Sequence, residues 1–279
     1  MNKNFRKAIY ICKYQIRQQL VSPRLWFLFF LFFIYFYLNE EGIRFFCKEA
    51  DVKASPYIFP FLTNDWICQI FISGGFIWGI SPMGSNDEEN LFLKFRAGER
   101  TWNFGNCLAV LGIAIVYTTI LFLLSFIVLL PNITISKEWG SIWKTLAMTD
   151  ASQKYNIQLI IDRFIINRYT PAQAVSYSFG LQILCLGWLG LLMYFFNSKT
   201  KTMSGLYAAM IFVFLDIMLS NTFMEKLYPF SPVTLVQLRS YSMDYLKYGV
   251  TIGKSLVFYL IGIAVYIWGA VNISDIKHV

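Results

Sequence analysis

The sequence predicts an all-α polytopic membrane protein with six transmembrane helices, an N-terminal amphipathic interfacial helix and a short cytoplasmic helix between spans two and three. Two observations carry this. Asn106–Leu130 and Ala172–Phe196 contain no Asp, Glu, Lys or Arg, and further apolar runs accompany them along the chain. A hydrocarbon core roughly 30 Å thick asks for about 20 apolar residues at 1.5 Å rise each, more than a soluble core helix needs. The composition agrees: 57% of residues are apolar and 19% aromatic, outside the range of soluble globular chains. Six spans and their connections account for the 279 residues, so 1–279 is expected to be a single transmembrane domain without a separate soluble one.

Residues 1–23 read as the interfacial helix. Phe5, Ala8, Ile9, Cys12, Ile16 and Leu20 share one face at helical spacing, and Lys3, Arg6, Lys7, Lys13 and Arg17 lie off it. Such a helix lies in the membrane surface, apolar face down, with its cations among lipid phosphates. Ser22-Pro23 ends it, because proline clashes with the preceding turn. Span one follows over Leu25–Leu38, extended back toward Leu20 with Arg24 snorkelling to the interface. Span two covers Tyr57–Ile80, span three Asn106–Leu130, span four Ala172–Phe196, span five Met203–Ser220 and span six Ser255–Val271.

Between spans, residues 81–105 form a polar cytoplasmic link. Residues 131–171 form the largest extracytoplasmic segment, where Ile157, Ile160, Ile161, Phe164 and Ile165 predict a helix on the outer membrane surface. Residues 221–254 form a second external excursion, with an apolar hairpin around Pro229–Leu238 dipping partly into the membrane. The 24 Lys and Arg divide evenly between the two sides. The basic cluster before span one and the shortness of the inner segments decide the orientation, since long loops translocate regardless of charge. Both termini are expected in the cytoplasm of a multi-pass protein of a bacterial cell membrane.

Several function classes recede on composition. The net charge of +8 is read as basic residues that flank spans and meet anionic lipid head groups, so membrane lipids and not nucleic acid are the expected partners. The only histidine is His278, which removes most histidine catalysis and most metal sites. Cys12, Cys47, Cys68, Cys107 and Cys185 have no metal-ligand spacing, and only Cys47 falls in an external loop, so neither a metal nor a disulfide framework is expected. No cleavable signal peptide is expected either: the basic start is too long, and no small-residue cleavage site follows the first apolar run.

Several motifs invite a sharper reading. Gly249-Val-Thr-Ile-Gly253-Lys254-Ser255 is one residue short of a phosphate-binding loop, follows no strand and falls on the predicted outer side, so Lys254 reads as an anchor for span six. Without a nucleotide site of its own the chain is not expected to be an enzyme or to hold a cofactor. Asp65 and Asp216 lie in apolar spans, where a carboxylate is costly; they are possible pathway residues, set against plain placement near the outer interface. Gly75 and Gly79 allow close helix approach, either within the bundle or between subunits. Trp26, Trp66, Trp78 and Trp188 suit interfacial belts or packing. Asn132-Ile-Thr134 has the form of a glycosylation acceptor, read here as chance.

The link at 81–105 is the best functional candidate. Asp87, Glu88 and Glu89 suit the start of a helix, and Lys94 and Arg96 its last turn. Leu91, Phe92 and Phe95 give that helix an apolar ridge, a docking knob for another protein's groove unless it rests on the bilayer. At this point the chain resembles the type-2 ABC exporter permeases. Lys13-Tyr-Gln-Ile-Arg17-Gln-Gln-Leu20-Val-Ser-Pro23-Arg24 is similar to that family's basic amphipathic entry. Glu88-Glu89 with Arg96-Ala-Gly98 and Trp102-Asn-Phe-Gly105-Asn106 is similar to its coupling-helix segment, where a lysine usually stands in place of Asn106. Asn197–Thr202 matches its tight inner turn, and Phe230-Ser231-Pro232-Val233 its external hairpin.

The resemblance implies a partner ABC ATPase subunit that binds the ATP and a second permease copy or paralogue. It implies that Asp87, Glu88, Glu89, Phe92, Phe95 and Arg96 transmit movement from that ATPase. Export of an amphipathic substrate, an antimicrobial peptide or a small drug, is the expected activity. The rivals are an ATP-independent secondary transporter or channel, which would need polar or broken helices near the midplane, and an intramembrane enzyme, which would need a catalytic pair within the spans.

Overall fold

The computed structural model of the protein describes residues 3–84, 88–221, 225–242 and 249–273. Among these, all regular structure is helical, and the only β pairing is an isolated bridge between Ala54 and Ile133. In chain order the helices are α1 (Lys3–Val21), α2 (Pro23–Asn39), α3 (Glu41–Glu49), α4 (Phe59–Asn64), α5 (Trp66–Ile80), α6 (Glu88–Ala97), α7 (Glu99–Val128), α8 (Gly140–Met148), α9 (Ala151–Lys154), α10 (Arg163–Arg168), α11 (Pro171–Thr200), α12 (Ser204–Asn221) and α13 (Ile252–Val271). Three 3-10 turns, Glu225–Phe230, Thr234–Val236 and Leu238–Tyr241, lie between α12 and α13.

Three of these helices, α7, α11 and α13, are long and apolar enough to cross a membrane. The pair α1 and α2, bent by 57° at the Ser22 break, makes a fourth candidate. Helices α5 and α12 are apolar but shorter. The expected boundaries hold closely for α2, α11 and α13, whereas α7 begins at Glu99, well ahead of the apolar run at Asn106.

Span two departs from the expectation of one continuous helix. The chain breaks between α4 and α5, where the Asp65 side chain accepts from the Ile67 and Cys68 amides and caps α5. A side-chain oxygen in that position satisfies amides that an uninterrupted helix would have bonded to carbonyls, so the residue that looked like an intramembrane charge is a helix start. The segment 131–171 is a second correction. Residues 157–162 are not helical; the local helices are α8, α9 and α10, and α10 begins at Arg163 because the Asp162 carboxylate accepts from the Phe164 amide at 2.8 Å. Helix α3, with Ile43 and Cys47 buried, occupies a stretch where the sequence predicts no helix, and Cys47 is thereby inaccessible.

The bundle centres on α11. Its start is fixed by a capping box in which Thr170 and Gln173 exchange side-chain to backbone bonds, with Pro171 in the first turn. Cys185, Leu186, Leu189 and Met193 are fully enclosed along its length. Helices α7, α13, α12 and the α4–α5 pair surround it. Gly75 and Gly79 of α5 admit Leu28 and Leu25 of α2, and Gly75 also faces the Tyr117 hydroxyl, so this pair of glycines serves packing within the chain.

Of the predicted apolar stripe of α1, Ala8, Cys12, Ile16 and Leu20 pack on protein, joined by Ile11 from outside it, while Phe5 stays 45% exposed. Ala8 and Ile11 are buried against α7, where a Cβ at Gly105 would come within 2.8 Å of Ile11 and one at Gly112 within 2.6 Å of Ile16. Helix α1 therefore runs alongside α7 in the same direction, its stripe set into two glycine notches, while Arg6, Lys13 and Arg17 stay exposed.

Candidate functional site

The exposed helix α6 and the polar contacts behind it form the candidate site. Gly98 separates α6 from α7 at φ 87 and ψ 138, a backbone region essentially reserved for glycine, and so turns one helix sharply off the other. The Gly98 amide donates to the Lys94 carbonyl at 3.0 Å and the Trp102 amide to the Gly98 carbonyl at 2.9 Å, so both helices end in bonds to the hinge. Lys94 and Glu99 pair across it at 3.1 Å. Lys7 of α1 donates to the Arg96 carbonyl at 3.4 Å, which ties the amino-terminal helix to the last turn of α6.

On this staged helix the aromatic ridge points outward. Phe92 is 72% exposed and Phe95 is 83% exposed, with Leu91 and Arg96 also at the surface. Covering both rings would contribute about 1.5–3 kcal/mol each before the costs of association. Glu88 and Glu89 are the first two residues of α6. Asp87 lies outside the described residues.

Two asparagines behind α6, named in the sequence only as parts of segments resembling the permeases and given no role of their own, hold this end together. The Asn197 amide donates to the carbonyls of Ser81 and Met83 at 3.2 and 3.0 Å, and its oxygen accepts from the Gly205 amide at 2.8 Å. One buried side chain thus joins the end of α5, the end of α11 and the start of α12. Asn103 of α7 donates to the Ala270 carbonyl of α13 at 3.0 Å and accepts from the Tyr194 hydroxyl of α11 at 3.0 Å. Both lie at the edges of apolar runs, where a lone amide is costly once buried unless it is bonded.

At the opposite end sit Asp65 and Asp216, the two carboxylates that the sequence reading placed in apolar spans. Asp216 of α12 is fully enclosed and accepts from Thr234 at 2.6 Å and from Gln237 at 3.1 Å, which fastens the buried turn Thr234–Val236 to the bundle. Asp65 caps α5, and the neighbouring Asn64 accepts from the Arg239 amide at 2.9 Å. The stretch Thr234–Arg239 bonds Asp216 through Thr234 and Gln237 and Asn64, next to Asp65, through the Arg239 amide, which brings the two carboxylates to one neighbourhood. The stretch expected as a hairpin around Pro229–Leu238 is a series of 3-10 turns packed on the bundle, with Val233, Leu235, Val236 and Leu238 all buried in protein.

Between α5 and α11 runs a polar seam. Gln69 donates to Gln182 at 2.8 Å and to the Thr63 carbonyl at 2.8 Å. The remaining Gln69 oxygen, the Gln182 amide and the hydroxyls of Ser73 and Ser178 are buried without a hydrogen bond among the described residues. The segment resembling a phosphate loop is a helix start: Thr251 accepts from the Lys254 amide at 3.3 Å and caps α13, and Ser255 is buried. Among the described residues no group of His, Cys, Asp and Glu could hold a metal ion. No protein-family model, no curated protein and no solved structure matches this chain.

Proposed function

We propose that the protein is the membrane-spanning permease subunit of an ATP-driven exporter, moved by a separate ATPase that grips α6. The observation that carries this reading is the pair of outward rings, Phe92 and Phe95, on a short charged helix fixed to α1 and α7 through Lys7 and Glu99. A solvated loop has no physical reason to hold two aromatic rings in the open on so rigid a mount. Along the sequence, Asp87, Glu88, Glu89 and Arg96 flank the ridge with charges suited to a polar rim.

Six crossings are proposed: α2, the α4–α5 pair, α7, α11, α12 and α13. Helix α12 has 18 residues, about 27 Å at 1.5 Å each, close to the hydrocarbon thickness. An even number is supported by the chain returning to its starting end, with Lys7 beside Arg96 and Ala270 beside Asn103. On this reading α6, both termini and the ATPase are cytoplasmic, and a second permease copy or paralogue completes the path. An amphipathic peptide or drug is the proposed cargo.

The test is co-purification. Phe92→Asp together with Phe95→Asp is expected to abolish retention of the ATPase while the permease still inserts and elutes as a folded species. Full retention of the ATPase by that variant sinks the proposal. The rival, an ATP-independent transporter or channel, is favoured by the seam of Gln69, Gln182, Ser73 and Ser178 inside the bundle. It predicts cargo movement by the purified permease alone in vesicles.

A further inference from the structure

Helices α5 and α11 lie side by side and run in the same direction: Gln69 meets Gln182, and further along Phe76 meets Gly190. Between them four polar side chains, Gln69, Ser73, Ser178 and Gln182, have no exposed surface. Ser178 stands one helical turn before the glutamine pair and Ser73 one turn after it. The four therefore form a strip two turns long, roughly 11 Å at 5.4 Å per turn.

Hydrogen bonding in this strip leaves a definite remainder. Gln69 commits both amide hydrogens, to the Thr63 carbonyl and to Gln182 Oε1, each at 2.8 Å. Two acceptors on one nitrogen fix which way that amide is turned. Its Oε1 is then left without a donor, the Gln182 Nε2 without an acceptor, and the Ser73 and Ser178 hydroxyls without either, among the described residues. Helical hydroxyls can bond the carbonyl one turn back, as Thr118 and Ser176 do at 2.8 Å. Ser73 and Ser178 make no such bond.

An enclosed donor or acceptor left unbonded costs the full desolvation of that group, so four in one strip require a partner from outside the protein. The remainder dictates its chemistry. It must donate to Gln69 Oε1 and accept from Gln182 Nε2, while the hydroxyls can do either. A cation cannot accept from the amide, and an anion cannot donate to the carbonyl oxygen. A small neutral molecule that does both fits, and water is the smallest. The strip is also shut just past Ser73. A Cβ at Gly190 would lie 2.7 Å from Val110, 3.0 Å from Phe76 and 3.1 Å from Ile80, so these apolar side chains rest directly on the bare glycine.

We infer that the seam between α5 and α11 is a binding site for a file of ordered water, stopped at one end by Phe76 on Gly190. More than one molecule is needed, because the strip is longer than the reach of a single water between two partners. The site belongs to one chain and is independent of what drives the protein.

The experiment uses the full chain in nanodiscs. Brief X-ray irradiation turns bound water into hydroxyl radicals that oxidise the side chains beside it, read residue by residue by mass spectrometry. Phe76 and Phe61 are both enclosed, but Phe76 lies one turn past Ser73 whereas Phe61 packs on Trp139 and Trp143. Phe76 is expected to oxidise several-fold faster than Phe61. The excess is expected to be lost in Gln69→Leu with Gln182→Leu. Equal oxidation of the two rings in wild type overturns the site, and so does an excess that persists unchanged in the double variant.

Thermal melts of Ser73→Ala and Ser178→Ala give a second test that does not need the double variant. A hydroxyl that holds water loses a partner when removed, so both variants are expected to melt lower than wild type. An unbonded hydroxyl in a dry strip only costs stability, and its removal would raise the melt. Both variants melting at or above wild type overturns the site. Ser176→Ala, at an exposed position on the same helix, is the control and melts with wild type.

Discussion

Glu40, just beyond the end of α2, is a carboxylate with no exposed surface and no hydrogen bond to either oxygen among the described residues. Burial pushes its pKa well above the ordinary 4.5, and the nearby Arg44 only partly opposes this. Arg44 is engaged elsewhere: it donates to the Tyr37 carbonyl at 2.7 Å and lies 4.0 Å over the Tyr37 ring. The folded protein therefore keeps a proton that the unfolded chain releases. Stability from this group is complete below 4.5 and is lost as the pH rises from there through the folded value. Glu40→Gln should flatten that slope and raise the melting temperature at neutral pH, as read from thermal melts in detergent at several pH values. A steeper fall in the variant would contradict the burial argument.

At the scale of elements, the hinge between α6 and α7 is the place where one substitution reorients a helix. Gly98→Ala puts a Cβ on a backbone at φ 87 and ψ 138, at a cost of about 1–3 kcal/mol. The variant is expected to relieve this by swinging α6 away from α1. In a cysteine-free background, the pair Lys7→Cys and Arg96→Cys should cross-link readily when Gly98 is kept and poorly when Gly98→Ala is added. Much of this element was legible in advance. The acidic start, the basic last turn and the ridge of Leu91, Phe92 and Phe95 marked a helix from composition alone. Its exposure needed the structure. The break at Asp65 was hidden for the opposite reason: Phe59–Asn64 and Trp66–Ile80 read as one apolar run, and hydropathy does not register whether a carboxylate caps a helix or interrupts one. In the same way, Asn103 and Asn197 looked like ordinary span-end residues, because the groups they bond, such as the Ala270 and Ser81 carbonyls, lie far along the chain.

For the whole molecule, the described residues are all-helical, with three to four helices able to cross a membrane, and the proposed orientation puts α6 and residues 131–139 on opposite sides. Ile135 is 89% exposed and Phe95 is 83% exposed, so both are suited to labelling, unlike the buried Cys47. In intact cells, a membrane-impermeant maleimide is expected to modify Ile135→Cys and to leave Phe95→Cys untouched until the cells are opened. The reverse pattern would invert the topology and place the ridge beyond the reach of any cytoplasmic ATPase.

Because the stripe of α1 is keyed into Gly105 and Gly112, neither rod can slide past the other without lifting Ile11 and Ile16 out of their seats. Under the proposed coupling, a push delivered to α6 would reach α1 and α7 together, and the Ser22–Pro23 elbow would pass part of it to α2. On that proposal the amino-terminal segment would need no contact of its own with the ATPase, because the α1–α7 notches already join the two helices.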